Sequence, residues 1–153
     1  MSKFLFLLFF IFISNISICQ TAYPYQDIKL EKPADYKATE SLALSAASYL
    51  LSNPFKTADI NRTRALNFLT TWVTGAKGFE YNLKGKIEEI SSDRVVLGLF
   101  IAAVVKYSLE NKNESANPKH VEMSAGKLVL AYCDNPVNNF KLKKKIRKVL
   151  ESN

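Results

Sequence analysis

Eleven consecutive residues, VVLGLFIAAVV from Val95 to Val105, carry no polar side chain. A bilayer-spanning helix needs about 20 apolar residues, so this run is too short to cross a membrane. It is also too uniformly apolar for a surface helix, which confines its apolar residues to one stripe. The remaining solution is a helix covered on most sides by other parts of the chain. The pattern predicts a helix from about Asp93 to Glu110, third in order and central to an all-α bundle.

The flanking segments repeat the helical spacing. From about Thr39 to Ser52, Leu42, Ala46, Tyr49 and Leu50 share one face of a 3.6-residue repeat, and Asn53-Pro54 closes the segment. From about Asn61 to Thr74, Ala65, Phe68, Leu69, Trp72 and Val73 form the stripe. Asp59 or Asn61 can cap its start, and Gly75 can end it in a left-handed conformation. Pro118 opens a fourth helix to about Cys133, with Val121, Ala125, Leu128, Val129 and Tyr132 inward, and Asn135-Pro136 stops it. A fifth covers about Asn139 to Glu151. The stretch from Gly75 to Ser92 reads as an ordered loop with one alternating run, Phe79, Tyr81 and Leu83, and room for a helical turn near Ile87 to Ile90. The expected fold is an all-α single-domain bundle of about five helices over residues 38–153, preceded by an extended lead-in over residues 20–37.

Residues 1–19 have the three-part layout of a secretory signal: Lys3, then FLFLLFFIFI, then the more polar SNISIC. Cleavage after Cys19 places small residues, Ser17 and Cys19, at positions −3 and −1 and starts the mature chain at Gln20. Lipidation of Cys19 is disfavoured, because Ile18 fills the position that should be small. The expectation is an exported protein, periplasmic or secreted, with no transmembrane span in the mature chain. Cys133 is then the lone thiol, so the fold relies on packing and not on a disulfide. It sits at the end of an apolar pattern, as a buried inert cysteine would.

Most catalytic chemistries lack their residues. Nucleophilic triads need a histidine beside the nucleophile, and His120, the one histidine, reads as a solvent-facing residue in a first helical turn. One cysteine and one histidine cannot hold zinc, and no acid-rich calcium loop is present. No cofactor is implied; GAKG around Lys77 has neither the spacing nor the flanking strand of a phosphate loop. Paired carboxylates could act without histidine. Glu80, Glu88 and Glu89, with Asp93 near, are the acids a carboxylate-dependent hydrolase of an envelope polymer would use. The plain alternative is a set of surface acids beside a loop.

Tyr49, Tyr107 and Tyr132 each lie in the last turn of a predicted helix, three or four residues before Asn53, Asn111 and Asn135. Their unequal spacing rules out a fixed-period repeat. The expected arrangement is a buried ring with a wet hydroxyl.

The segments RALNFLTTWVTG (Arg64 to Gly75), AAVVKYSLEN (Ala102 to Asn111) and LAYCDN (Leu130 to Asn135) resemble small all-helical exported proteins of Bacteroidota. The resemblance implies export and a helical fold, and it carries no activity with it.

Charge is concentrated at one end. The formal net charge is +7, and almost all the excess lies in FKLKKKIRKVL, Phe140 to Leu150. On a helical projection Leu142, Ile146, Val149 and Leu150 make an apolar stripe that can dock. Lys141, Lys143, Lys144, Lys145, Arg147 and Lys148 take the rest of the circumference. Those six are either a solvated face or a contact for an anionic envelope component, such as lipid headgroups, lipopolysaccharide or an acidic protein. Nucleic acid is not a partner expected for an exported chain. The sequence thus points to a non-catalytic binding protein of the cell envelope, with a small carboxylate-dependent hydrolase as the alternative.

Overall fold

A computed structural model describes residues 25, 28–77 and 86–152. The expected leader, Cys19, and Phe79, Glu80, Tyr81 and Leu83 lie outside the described residues. Within the described residues every regular element is helical: α1 (Pro33–Ala38), α2 (Glu40–Ser52), α3 (Ile60–Gly75), α4 (Lys86–Ile90), α5 (Arg94–Glu110), α6 (Pro118–Asp134), a 3₁₀ turn (Pro136–Asn138) and α7 (Lys144–Glu151). No helix among them is long and apolar enough to cross a membrane.

The apolar run of α5 has the covered position its composition requires. Ten of its residues are buried, and α2, α3, α4 and α6 all pack against it. Two of its faces serve two clusters. Val96, Leu99, Phe100, Ala103 and Val104 join Ile90, Val121, Ala125, Val129 and the α7 residues Ile146, Val149 and Leu150. Ala102, Val105 and Leu109 join Ala43, Ala46, Ala47, Leu50, Ala65, Phe68, Leu69 and Trp72. Trp72 is fully buried, and its indole N–H donates to Tyr36 O at 3.1 Å and to Thr39 Oγ1 at 3.0 Å.

The structure departs from the sequence expectations at several points. The expected extended lead-in is already helical from Pro33, where the fixed proline φ suits a first helical turn. The Asp35 carboxylate accepts from the Lys32 and Glu31 amides at 2.8 and 3.0 Å and so caps that turn at its start. In α2 the buried face is alanine-rich (Ala43, Ala46, Ala47), with Leu42 and Tyr49 half-buried at its edges. Small side chains let α2 lie close to α5, which presents the small Ala102 to the same cluster. Gly75 does not take a left-handed conformation. It lets the Tyr36 ring lie against the backbone, since a Cβ there would stand 2.1 Å from the Tyr36 hydroxyl. The helical turn for which the sequence left room near Ile87 to Ile90 is present, as the five-residue α4.

The last helix starts five residues later than expected. Asn139 has φ 47°, a left-handed conformation that asparagine tolerates but that ends helical continuity. Residues 140–143 are therefore not helical, and Lys141 and Lys143 stand off the helix. Leu142 still packs on the same cluster as Ile146, Val149 and Leu150, half-buried.

Candidate functional site

The six basic residues divide into two groups. Lys143 Nζ lies 3.2 Å from Asp93 Oδ2, and Asp93 caps α5 by accepting from Val96 N at 3.3 Å. Arg147 makes a two-pronged contact with Asp134, and its Nη1 lies 3.6 Å from Glu151 Oε1. The Arg147 bond holds the Asp134 carboxyl below its ordinary range. Lys141, Lys144, Lys145 and Lys148 are exposed and make no ion pair among the described residues. At about 100° per residue, Lys144, Lys145 and Lys148 fall within one arc opposite the buried Ile146 and Leu150.

The acids of the hydrolase reading fare differently. Glu88 and Glu89 are exposed on the five-residue α4, and Asp93 is occupied as a helix cap and ion-pair partner. Glu80 lies outside the described residues. Cys133 is 9% exposed, and burial pushes its thiol up to about 11, away from the reactive thiolate.

His120 is not the isolated residue expected. Its Nε2 lies 3.0 Å from the Tyr107 hydroxyl and 3.1 Å from Glu114 Oε2, and Tyr107 also donates to Glu114. The Tyr107 hydroxyl, against the opposing effect of burial and with help from the neighbouring His120, holds the Glu114 carboxyl below its ordinary range. The cluster links the end of α5 to the first turn of α6.

The other terminal tyrosines make comparable links. Tyr49 donates to Asp59 Oδ2 at 2.8 Å, and Tyr132 donates to Asn53 O at 2.9 Å. Their hydroxyls are tied to other segments, not simply wet. Asn53 and Asn111 each donate a side-chain N–H to the carbonyl of Tyr49 and Tyr107 at 2.9 Å. For Tyr132 the partner is Asn138, at 2.8 Å, not Asn135, whose side chain accepts from Val137 N.

A cleft opens between the end of α2, residues 55–59, and the starts of α3 and α5. Its volume is about 190 Å³. Leu50, Phe55, Leu66, Val95, Gly98 and Leu99 form apolar walls, and Lys56, Asp59, Arg62 and Arg94 bring charge to it. Neither Glu88 nor Glu89 lines it. Arg62 is 8% exposed and donates to Leu50 O at 3.1 Å, to Asn53 O at 3.4 Å and to the Tyr132 hydroxyl at 3.3 Å. Its guanidinium lies over the Phe55 and Tyr132 rings, 5.4 and 5.7 Å from their centroids. A cation at the C-terminal end of α2 is favoured by the helix dipole, and burial beside aromatic faces strengthens the contact.

Sequence reasoning missed this cleft. One signal was available: Arg62 precedes Ala65 and Leu69 by three and seven residues, so it sits in register with the buried stripe of α3. The fold and these sites define an all-helical protein with a basic docked helix and a small cationic cleft. No protein family, curated protein or solved structure matches this chain.

Proposed function

We propose that the protein is an exported, non-catalytic binding protein of the bacterial cell envelope whose terminal basic segment contacts an anionic surface. The observation that carries this reading is the division of the six cations. Two are neutralised by acids of the fold, while Lys141, Lys144, Lys145 and Lys148 stay exposed with no ion pair among the described residues. The same segment docks through Ile146, Val149 and Leu150, so its lysines are carried on a fixed surface. Export rests on the composition of residues 1–19. The reading takes the described helices as one domain, with α5 shared by both apolar clusters.

Each basic group near an anionic membrane contributes about 1 kcal/mol, so four can retain a protein at low salt. The expected result is co-sedimentation with vesicles containing phosphatidylglycerol and none with phosphatidylcholine alone. Binding should fall away at about 1 M salt, where the screening length is about 3 Å. Replacing Lys141, Lys144, Lys145 and Lys148 by Gln should abolish it while leaving the Lys143 and Arg147 ion pairs intact. Equal sedimentation of the variant and the native chain would defeat the proposal. Intact mass of envelope-extracted protein is expected to begin at Gln20, with no diacylglycerol added.

A further inference from the structure

The cleft beside Arg62 has a composition unlike a plain packing defect. Its walls are apolar, yet three cations line it and one carboxylate. That carboxylate, Asp59, is already engaged. It accepts from Tyr49 Oη at 2.8 Å, from Asn61 N at 2.9 Å and from Arg62 N at 3.1 Å. Arg62 spends its bonds on neutral acceptors, the Leu50 and Asn53 carbonyls and the Tyr132 hydroxyl, and makes no ion pair among the described residues. Lys56 and Arg94 are exposed and make no ion pair among the described residues. The lining therefore carries a net positive charge, three cations against one carboxylate, beside the apolar Leu50, Leu66 and Leu99.

We infer that this cleft is a binding site for a small free carboxylate with a compact apolar body. The apolar part would lie between Phe55, Leu66 and Val95, and the carboxylate would meet Arg94 and Lys56 at the mouth, with the buried Arg62 charge behind. Size supports the class: a cavity of about 150 Å³ accepts benzene, and this one measures about 190 Å³. A phenyl ring or a short branched chain fits that space. Charge supports the sign, since the lining holds three cations against one carboxylate and the Arg62 charge is buried, where it is less screened by water. Gly98 lets the Leu66 side chain lie close on α5, since a Cβ there would stand 3.0 Å from it. The site shares no residue with the basic face of α7 and stands or falls independently of it.

Phenylacetate, benzyl alcohol and benzylamine are the probes, titrated into the full chain and followed by amide chemical shifts. Phenylacetate is expected to saturate, with shifts centred on residues 55–66 and 94–99. Benzyl alcohol should bind about tenfold more weakly and benzylamine not measurably. Arg94→Gln and Lys56→Gln, both at exposed positions, should each weaken phenylacetate several-fold and leave benzyl alcohol unchanged. Val95→Phe should block both ligands, with far-UV ellipticity checking that the fold persists. The four-lysine Gln variant of the terminal segment should bind phenylacetate as the native chain does. Equal affinity for the three probes, shifts centred on α7, or unchanged phenylacetate binding in Arg94→Gln and Lys56→Gln would each overturn the assignment. Tighter binding by acetyl-glycyl-phenylalanine than by phenylacetate would overturn the free-ligand assignment in favour of a peptide C-terminus.

Discussion

Asp59 joins two segments through one carboxylate, accepting from the Tyr49 hydroxyl at the end of α2 and from two amides at the start of α3. Burial pushes its carboxyl up, but the Tyr49 hydroxyl, the Arg62 and Asn61 amides and the Arg62 charge together hold it below its ordinary value. A carboxyl depressed in the folded state adds stability above its unfolded value, near pH 4, and that stability is lost as pH falls through the folded value. Asparagine caps a helix about as well as aspartate, so Asp59→Asn removes the charge and keeps the cap. It is expected to lower stability at pH 7. The gap to the native chain should narrow below about pH 4, as the native carboxyl takes up its proton. Urea melts at pH 7 and at acid pH measure the gap directly. A gap that stayed constant would show that the charge contributes nothing. The clustered tyrosine ends follow the same logic with other partners: Tyr107 reaches Glu114 and His120, and Tyr132 reaches Asn53 and Arg62. In each case the hydroxyl ties a helix end to a separate segment.

At the scale of elements, α7 is held by an approach of backbone to backbone. A Cβ on Gly126 of α6 would stand 2.9 Å from the Leu150 carbonyl oxygen, and a carbonyl at a helix end cannot swing aside as a side chain can. Gly126→Ala gains about 1 kcal/mol of helix propensity in α6 and meets an overpacking cost of about 1–3 kcal/mol at the contact. The expected outcome is faster amide exchange across α7 with α2 and α3 unaffected. A more stable variant with unchanged α7 exchange would mean the contact is soft. The sequence displays the two long inner helices well, because α5 is one uninterrupted apolar run, α6 carries its apolar residues at helical spacing, and they open at Asp93 and Pro118. It misleads about α2, where hydrophobicity selects Leu42 and Tyr49 although close packing puts Ala43 and Ala47 inside. It misplaces the start of α7, because Asn139 is as able to turn left-handed as to cap a helix, and only its surroundings decide. The terminal lysines are visible as a run, but their division into paired and unpaired depends on Asp93 and Asp134 arriving from other elements. The cleft is hidden for the same reason, being assembled from residue 50, residues 55–66 and residues 94–99.

For the whole molecule the decisive question is whether its two apolar clusters unfold together. They meet on α5, whose Ala102 and Val105 face one and whose Ala103 and Val104 face the other. Arg62 and Tyr132 add a polar tie, since α3 and the end of α2 reach α6 through that pair. A helix shared in this way cannot lose packing on one face and keep its position for the other. Val129 is fully buried in the α6–α7 cluster, and Trp72, the lone tryptophan, is fully buried in the α2–α3 cluster. Val129→Ala leaves a small cavity and is expected to cost about 2 kcal/mol. If the clusters are one cooperative unit, Trp72 fluorescence and far-UV ellipticity will shift to the same lower denaturant midpoint with unchanged slope. A Trp72 transition left at its native midpoint while the ellipticity change splits in two would instead make α2 and α3 a separately stable half. The uninterrupted apolar run of α5 argues for the first outcome, because neither cluster alone covers all of the surface that Val95 to Val105 presents.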